Sequence, residues 1–280
     1  MKKRSSAIRR LINRTALICS LLSAFIGIFF LVWILFNILL NGAAAINWSF
    51  FTKLPLPPGE TGGGLANAMA GTLIITALAM IMGVPLGILA GTYLSEFGHG
   101  RLAKLIRFLS RIFGSAPSIV IGIFVYAILV VPMKRFSGLA GAVSLAILML
   151  PVITGTTEEM LKLVSTGLRE AALAIGAPYW HMVVHVIYRG ARAGMLTGII
   201  LAVARVSGET APLLFTALNS PYWPNGILQP MPNLTVTIFN YAMSPYDDWQ
   251  AKAWGASLII TSAVLAMNII ARLLVRRMEE

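Results

Sequence analysis

Long uncharged runs constrain this chain more than any other feature. Ala16–Leu40, Thr61–Ser95, Ile112–Met133, Phe136–Thr157 and Ala253–Ala271 contain no acidic or basic residue, and Ala193–Leu218 is interrupted only by Arg205 and Glu209. A helix needs about 20 predominantly apolar residues to cross a bilayer, so the chain offers six candidate spans. Charged residues make up 11% of it, against about 25% in a soluble domain. Soluble globular and disordered classes are excluded, and an all-α membrane protein with six transmembrane helices is expected. The first run follows Lys2, Lys3, Arg4, Arg9, Arg10 and Arg14 and precedes Ala43–Ala45, as a signal peptide would. Its apolar core exceeds the roughly 7–15 residues of a signal h-region, so it reads as an uncleaved helix.

The net charge of +12 and the pI near 10.4 could suggest nucleic acid, but the positions of the basic residues argue otherwise. With the N-terminus inside, seventeen of the 22 Lys and Arg residues fall in cytoplasmic segments: the N-terminal stretch, Arg101–Arg111, Lys162–Arg192 and Arg272–Arg277. Only Lys53, Lys134, Arg135 and Lys252 fall outside, and Arg205 lies in a span. This is the positive-inside pattern; it places both termini in the cytoplasm and needs no nucleic acid. The expected organisation is an N-terminal segment, first span and outer loop over 1–60, a five-helix core over 61–275, and a cytoplasmic tail over 276–280.

Inside the runs, Gly83, Gly87 and Gly91 recur at four-residue spacing, which stacks them on one helix face and admits a close neighbour. Pro85, Pro117, Pro151 and Pro212 lie in or beside spans, where proline kinks a helix. Cys19 is the single cysteine, so no intrachain disulfide forms. His181 and His185 are spaced as HxxxH, but Met182 stands where a zinc protease helix has its glutamate; they read as interface or loop histidines. Neither a GxSxG elbow nor a GxxxxGK[ST] phosphate loop occurs. Any ATP that is used is bound by another chain.

The longest inner loop, Glu158–Arg192, contains Glu170-Ala171-Ala172-Leu173-Ala174-Ile175-Gly176. Alanine favours helix and Gly176 favours its end. Such a helix of small residues can seat in a groove of a partner; otherwise it lies in the headgroup region. The pattern Glu-Ala-Ala-x-x-x-Gly before the penultimate span resembles the EAA motif of ABC importer permeases. The resemblance implies that Glu170, Ala171, Ala172 and Gly176 belong to a coupling loop docking on an ATPase. Where that motif continues as Ile-x-Leu-Pro, this chain has Val186-Ile187-Tyr188-Arg189.

Arg205 and Glu209 fall roughly 18 and 24 Å along a helix from Ala193, at about 1.5 Å per residue. An arginine at that depth costs at least about 2.5–3.5 kcal/mol and faces a bundle interior or an aqueous path. At i, i+4 the two residues are expected on one helix face, able to pair. One reading is an ion pair that fixes packing. The other is an anion site, because guanidinium binds a tetrahedral oxyanion through two parallel hydrogen bonds, with Glu209 competing and Ser207 and Thr210 adding hydroxyls.

The run Arg205-Val206-Ser207-Gly208-Glu209-Thr210-Ala211-Pro212-Leu213-Leu214-Phe215-Thr216-Ala217 resembles the signature of PstA-type permease subunits of phosphate ABC importers. Asn233–Phe239 and Ala242–Pro245 are similar too. This resemblance implies a type I-like permease fold in a bacterial inner membrane, with Arg205, Glu209, Ser207 and Thr210 on the phosphate pathway. It implies no active site or cofactor on this chain, ATP and magnesium being held by partner subunits. Its partners would be a second, PstC-like permease in a heterodimer, an ATPase dimer, a periplasmic phosphate-binding protein and membrane lipid. Two rivals stand beside it: a permease for sulfate or molybdate, and an intramembrane enzyme using Arg205 and Glu209. The proline- and aromatic-rich segment Asn219–Lys252 is expected either to meet the binding protein or to form an interfacial aromatic belt.

Overall fold

A computed structural model describes residues 6–279, with side chains for 10–273; Lys2, Lys3, Arg4 and Glu280 lie outside them. Every regular element among the described residues is helical. In chain order these are α1 (Ser6–Ala45), α2 (Trp48–Thr52), α3 (Ala66–Glu96), α4 (Arg101–Ser115), α5 (Ser118–Val125), α6 (Val131–Met133), α7 (Gly138–Leu163), α8 (Thr166–Ala174), α9 (Tyr179–Met182), α10 (Tyr188–Ser207), α11 (Ala211–Thr216), α12 (Leu234–Ala242) and α13 (Asp247–Glu279). Single π-helical turns, Tyr126–Val130 and Val183–Ile187, join α5 to α6 and α9 to α10.

Among the described residues five helices are long and apolar enough to cross a membrane: Arg10–Ala45, Ala66–Glu96, Gly138–Leu163, Tyr179–Ser207 and Asp247–Leu273. The third uncharged run is not one straight span. Its first residues end α4, and the chain turns by 112° before Ser118–Met133. Ala116 is extended (φ −69°, ψ 137°) because the following Pro117 disfavours helical backbone there. The fifth run is also divided. Its helix starts upstream of Ala193 and stops at Ser207, leaving α11 separate.

The core is built on α3 and α7. Gly71, Ile75, Ala79, Gly83, Gly87 and Gly91, every fourth residue of α3, are buried. The glycine stripe is longer in effect than its three members, because small or branched residues continue it. A Cβ on Gly87 would lie 2.7 Å from the Ile153 Cβ, and one on Gly91 2.6 Å from the Thr157 Cβ. Only hydrogen fits there, so Ile153 and Thr157 of α7 pack directly onto the backbone of α3. Leu145, Met149 and Ile153 of α7 fill the centre with Val203 and Val206 of α10 and Leu213 of α11. Ser137 caps α7 by accepting from the Ala140 N–H at 3.1 Å, which satisfies one of the orphan donors of a helix start.

In contrast, none of the most apolar window of α1 is buried by the rest of the chain. Its C-terminal end alone is anchored closely, where a Cβ on Gly42 would meet Leu258 and Trp254 of α13. Beyond α7, the cluster of Leu161, Ala172, Met182, Val183 and Ile187 seats α8 and α9 against one end of the bundle. At the other end Phe50, Leu65, Leu234 and Tyr241 pack with α13.

Candidate functional site

The signature run folds as a broken helix. Gly208 ends α10, its N–H reaching back to the Arg205 and Val206 carbonyls. The chain restarts as α11 with Pro212 in the first turn, a place where its missing N–H costs nothing and its fixed φ suits the helix. The Cα of Pro212 would lie only 2.6 Å from a Cβ on Gly122, so α11 is pressed against α5.

The second sequence signature frames this break. The Asn233 side chain donates to the Leu218 carbonyl at 3.0 Å and to the Met231 carbonyl at 3.3 Å. Its oxygen accepts from the Val236 N–H at 2.9 Å, capping α12. Thr235 Oγ1 donates to the Glu209 carbonyl at 2.9 Å, and Thr72 Oγ1 accepts from the Leu234 N–H at 2.8 Å. The start of α12 thus ties the break to α3. Asn233, Thr235 and Thr72 carry this geometry; the first two lie in the run singled out in the sequence, whereas Thr72 is signalled only as a polar residue within an apolar run.

The expected pairing of Arg205 with Glu209 on one helix face is overturned. Helix α10 ends at Ser207, so Glu209 no longer follows the 3.6-residue repeat. The ion pairs among the described residues join Arg107 to Glu158, Lys162 to Glu158, Arg169 to Glu96 and Lys252 to Asp248; Arg205 and Glu209 are in none of them. Arg205 is exposed on this chain while Ala202, Val203, Ala204 and Val206 around it are buried. Glu209, Ser207 and Thr210 are half-buried. The Ser207 hydroxyl is engaged with the Val203 carbonyl at 2.8 Å. Arg205 is therefore an exposed cation at the break with no ion-pair partner among the described residues.

The other candidate region lies at the opposite end of α3. Glu170-Ala171-Ala172-Leu173-Ala174 falls within α8, and Gly176 ends it with φ +85°. The Gly176 N–H reaches the Leu173 carbonyl at 3.0 Å and the Ala177 N–H reaches that of Ala172 at 3.2 Å, the paired bonds of a Schellman cap. Ala172 faces the chain; Glu170, Ala171, Leu173 and Ile175 face away, Ile175 being 85% exposed. His181 and His185 are exposed beside it with rings stacked at 4.0 Å; two imidazoles alone make no metal centre, and no group of three or more His, Cys, Asp or Glu that could hold an ion occurs among the described residues.

Behind α8 lies a cluster that sequence reasoning missed. Arg169 Nη1 donates to both Glu96 oxygens at 2.9 and 2.8 Å, and its Nη2 donates to the Leu161 carbonyl at 2.6 Å. The Tyr179 hydroxyl donates to the same carboxylate at 2.8 Å, whose side chain is 1% exposed. The available signals were slight: Glu96 closes an uncharged run and Arg169 directly precedes Glu170.

At the far end, Asn219–Lys252 folds against Leu54–Pro58 around a cavity of about 530 Å³ lined by Tyr222, Tyr241 and Trp249. Tyr241 and Trp249 stack at 4.3 Å, and α12 is too short to span, as its sequence indicates.

Comparison with known proteins places these features in context. Residues 83–280 match the model of a family described as binding-protein-dependent transport system inner membrane component. The chain is 47% identical over 274 residues to the phosphate transport system permease protein PstA of Yersinia pestis, covering 98% of this chain and 93% of that one. It is 47% identical to the protein of that name from Pasteurella multocida, covering 95% of each. A probable phosphate transport system permease protein PstA of Methanocaldococcus jannaschii is 39% identical over 74% of each chain. In fold, the chain is similar to the inward-facing MetNI methionine ABC transporter, with TM-score 0.59 and 20% identity over 77% of this chain and 94% of that chain. An amino acid ABC transporter with histidines aligns with TM-score 0.57 and 17% identity, over 76% and 92%.

Proposed function

Because the chain belongs to the family of inner membrane components of binding-protein-dependent transport systems, we propose that it is the permease subunit of an ATP-driven phosphate importer. It is a multi-pass inner-membrane protein and a transport component rather than an enzyme. Phosphate is supported by full-length similarity to phosphate permeases. The observation that supports the mechanism is Arg205, an exposed cation without a carboxylate partner among the described residues, beside a broken helix within an apolar run. A guanidinium there offers a tetrahedral oxyanion a planar pair of donors. Arg205 would face a second, PstC-like permease that closes the path. Glu209, Ser207 and Thr210 line the break beside it, with Glu209 repelling the anion enough to permit release.

Energy would enter at α8. Glu170, Ala171 and Gly176 present a small, capped helix end to an ATPase dimer, which holds the ATP and magnesium, while Ala172 anchors it. A periplasmic phosphate-binding protein would deliver the anion to the face formed by Asn219–Lys252. The assembled complex should take up phosphate with ATP and ignore a hundredfold excess of competing sulfate or molybdate, well within the roughly 10⁴–10⁵-fold discrimination that well-placed polar groups achieve. Radiolabelled uptake into proteoliposomes measures this, and equal competition by sulfate would transfer the chain to the rival oxyanion class.

The charge asymmetry supports a cytoplasmic position for both termini and for α8. After Cys19→Ser, a cysteine at Ser165 should resist an impermeant maleimide in intact cells and react in inverted vesicles. Labelling from outside would reverse the orientation.

A further inference from the structure

Helix α8 is linked to the bundle by the short Val164–Ser165 connection, by the buried face of Ala172, and by Arg169. Of these Arg169 makes side-chain hydrogen bonds to two other elements at once, the carboxylate that ends α3 and a carbonyl in the last turn of α7. Tyr179 brings α9 to the same carboxylate, and Ser95 donates to it at 2.9 Å. A carboxylate this buried is held only because it is charge-paired and fully hydrogen-bonded. When α8 shifts, the carboxylate either moves with it and carries the end of α3, or loses its bonds to Arg169.

What lies beyond Glu96 makes the linkage directional. Helix α3 is locked to α7 along its glycine face, so it moves with α7 or slides along it. Thr92, one turn before Glu96, bonds the Tyr188 hydroxyl of α10 at 2.8 Å. At the other end of α3, Thr72 holds Leu234, whose neighbour Thr235 holds the Glu209 carbonyl. Side-chain hydrogen bonds at the two ends of α3 therefore connect α8, through the body of that helix, to the break that carries Arg205.

We propose that Glu96 and Arg169 form the joint through which displacement of α8 is passed to α3 and α7, with Tyr179 keeping the carboxylate in register. They are positioning residues and touch no substrate. The inference rests on the reading that α8 meets an ATPase and that the break conducts phosphate.

The test uses the full complex in proteoliposomes, with phosphate uptake, ATP hydrolysis and recovered complex measured on one preparation. Glu96→Gln and Arg169→Lys keep size while weakening the joint. Each should assemble and hydrolyse ATP, yet move about tenfold less phosphate per ATP, within the range by which coupling residues act. The double variant should be no worse than the worse single one, because both remove one contact. Should Glu96→Gln assemble poorly, Tyr179→Phe removes one hydroxyl and should lower the ratio about threefold. A ratio unchanged in Tyr179→Phe and in whichever charge variant assembles, or hydrolysis and uptake falling only with assembly, overturns the joint. A wild-type chain that retains no ATPase overturns instead the reading on which the joint depends.

Discussion

Arg205→Ala should abolish phosphate uptake by a complex that still assembles. The side chain is exposed on its own subunit while its neighbours Ala204 and Val206 are buried, so truncation opens no cavity in the core. The loss should reach about a hundredfold or more, as expected when a desolvated, charge-assisted contact worth about 3 kcal/mol disappears. Arg205→Lys keeps the charge but loses the planar fork and should remain severely impaired. Glu209→Gln should be milder, since the bond to Thr235 uses the Glu209 backbone carbonyl and survives the change. A packing role would allow Arg205→Leu with Glu209→Leu, because apolar replacement of a buried ion pair is often neutral. No such pair forms here, so the double variant should be inactive. Uptake near wild type in the double leucine variant, normalised to assembled complex, would refute the anion site.

The spans were legible because a bilayer imposes a length that no soluble fold demands, and Arg205 was legible because charge in such a run is costly. The relation of Arg205 to Glu209 departs from one helical period because Gly208 ends the first helix before Glu209 and Pro212 opens the next after it. Those two residues mark an end and a restart, and their order, glycine then proline, was the usable signal. Similarly, Pro117 announced a disturbance, but its 112° turn depends on where α4 packs against α7, which no local pattern encodes. Glu96 and Arg169 are far apart in sequence and each looks ordinary on its own. Only the docking of α8 beneath α3 brings them together. Glycines 83, 87 and 91 were read as generic packing, which is what they do; the sequence did not say that α7 is the neighbour they admit.

Gly176 allows the proposed ATPase-docking surface to be separated from the fold that presents it. At φ +85° it needs a left-handed backbone, which costs an L-residue roughly 1–2 kcal/mol. Nothing lies within 4 Å of a Cβ built there, so a side chain meets solvent, not the bundle. Gly176→Ala should therefore loosen the cap of α8 modestly and leave transport within about fivefold of wild type, since about 1 kcal/mol of strain changes a population by about that factor. Gly176→Trp adds the same strain plus bulk beside Ile175 on the face turned away from the chain. If that face seats in an ATPase groove, the indole holds the two surfaces apart. Retention of the ATPase should then fall by more than about a hundredfold in affinity, the effect of disrupting the centre of an interface worth about 3 kcal/mol, and uptake should be lost with it. Insertion of the spans should be unaffected, because α8 lies outside them. Co-purification across a salt series reports retention, and uptake in the same preparation reports coupling. A tryptophan variant that keeps its ATPase and transports normally would show that α8 docks nowhere and rests on the membrane surface.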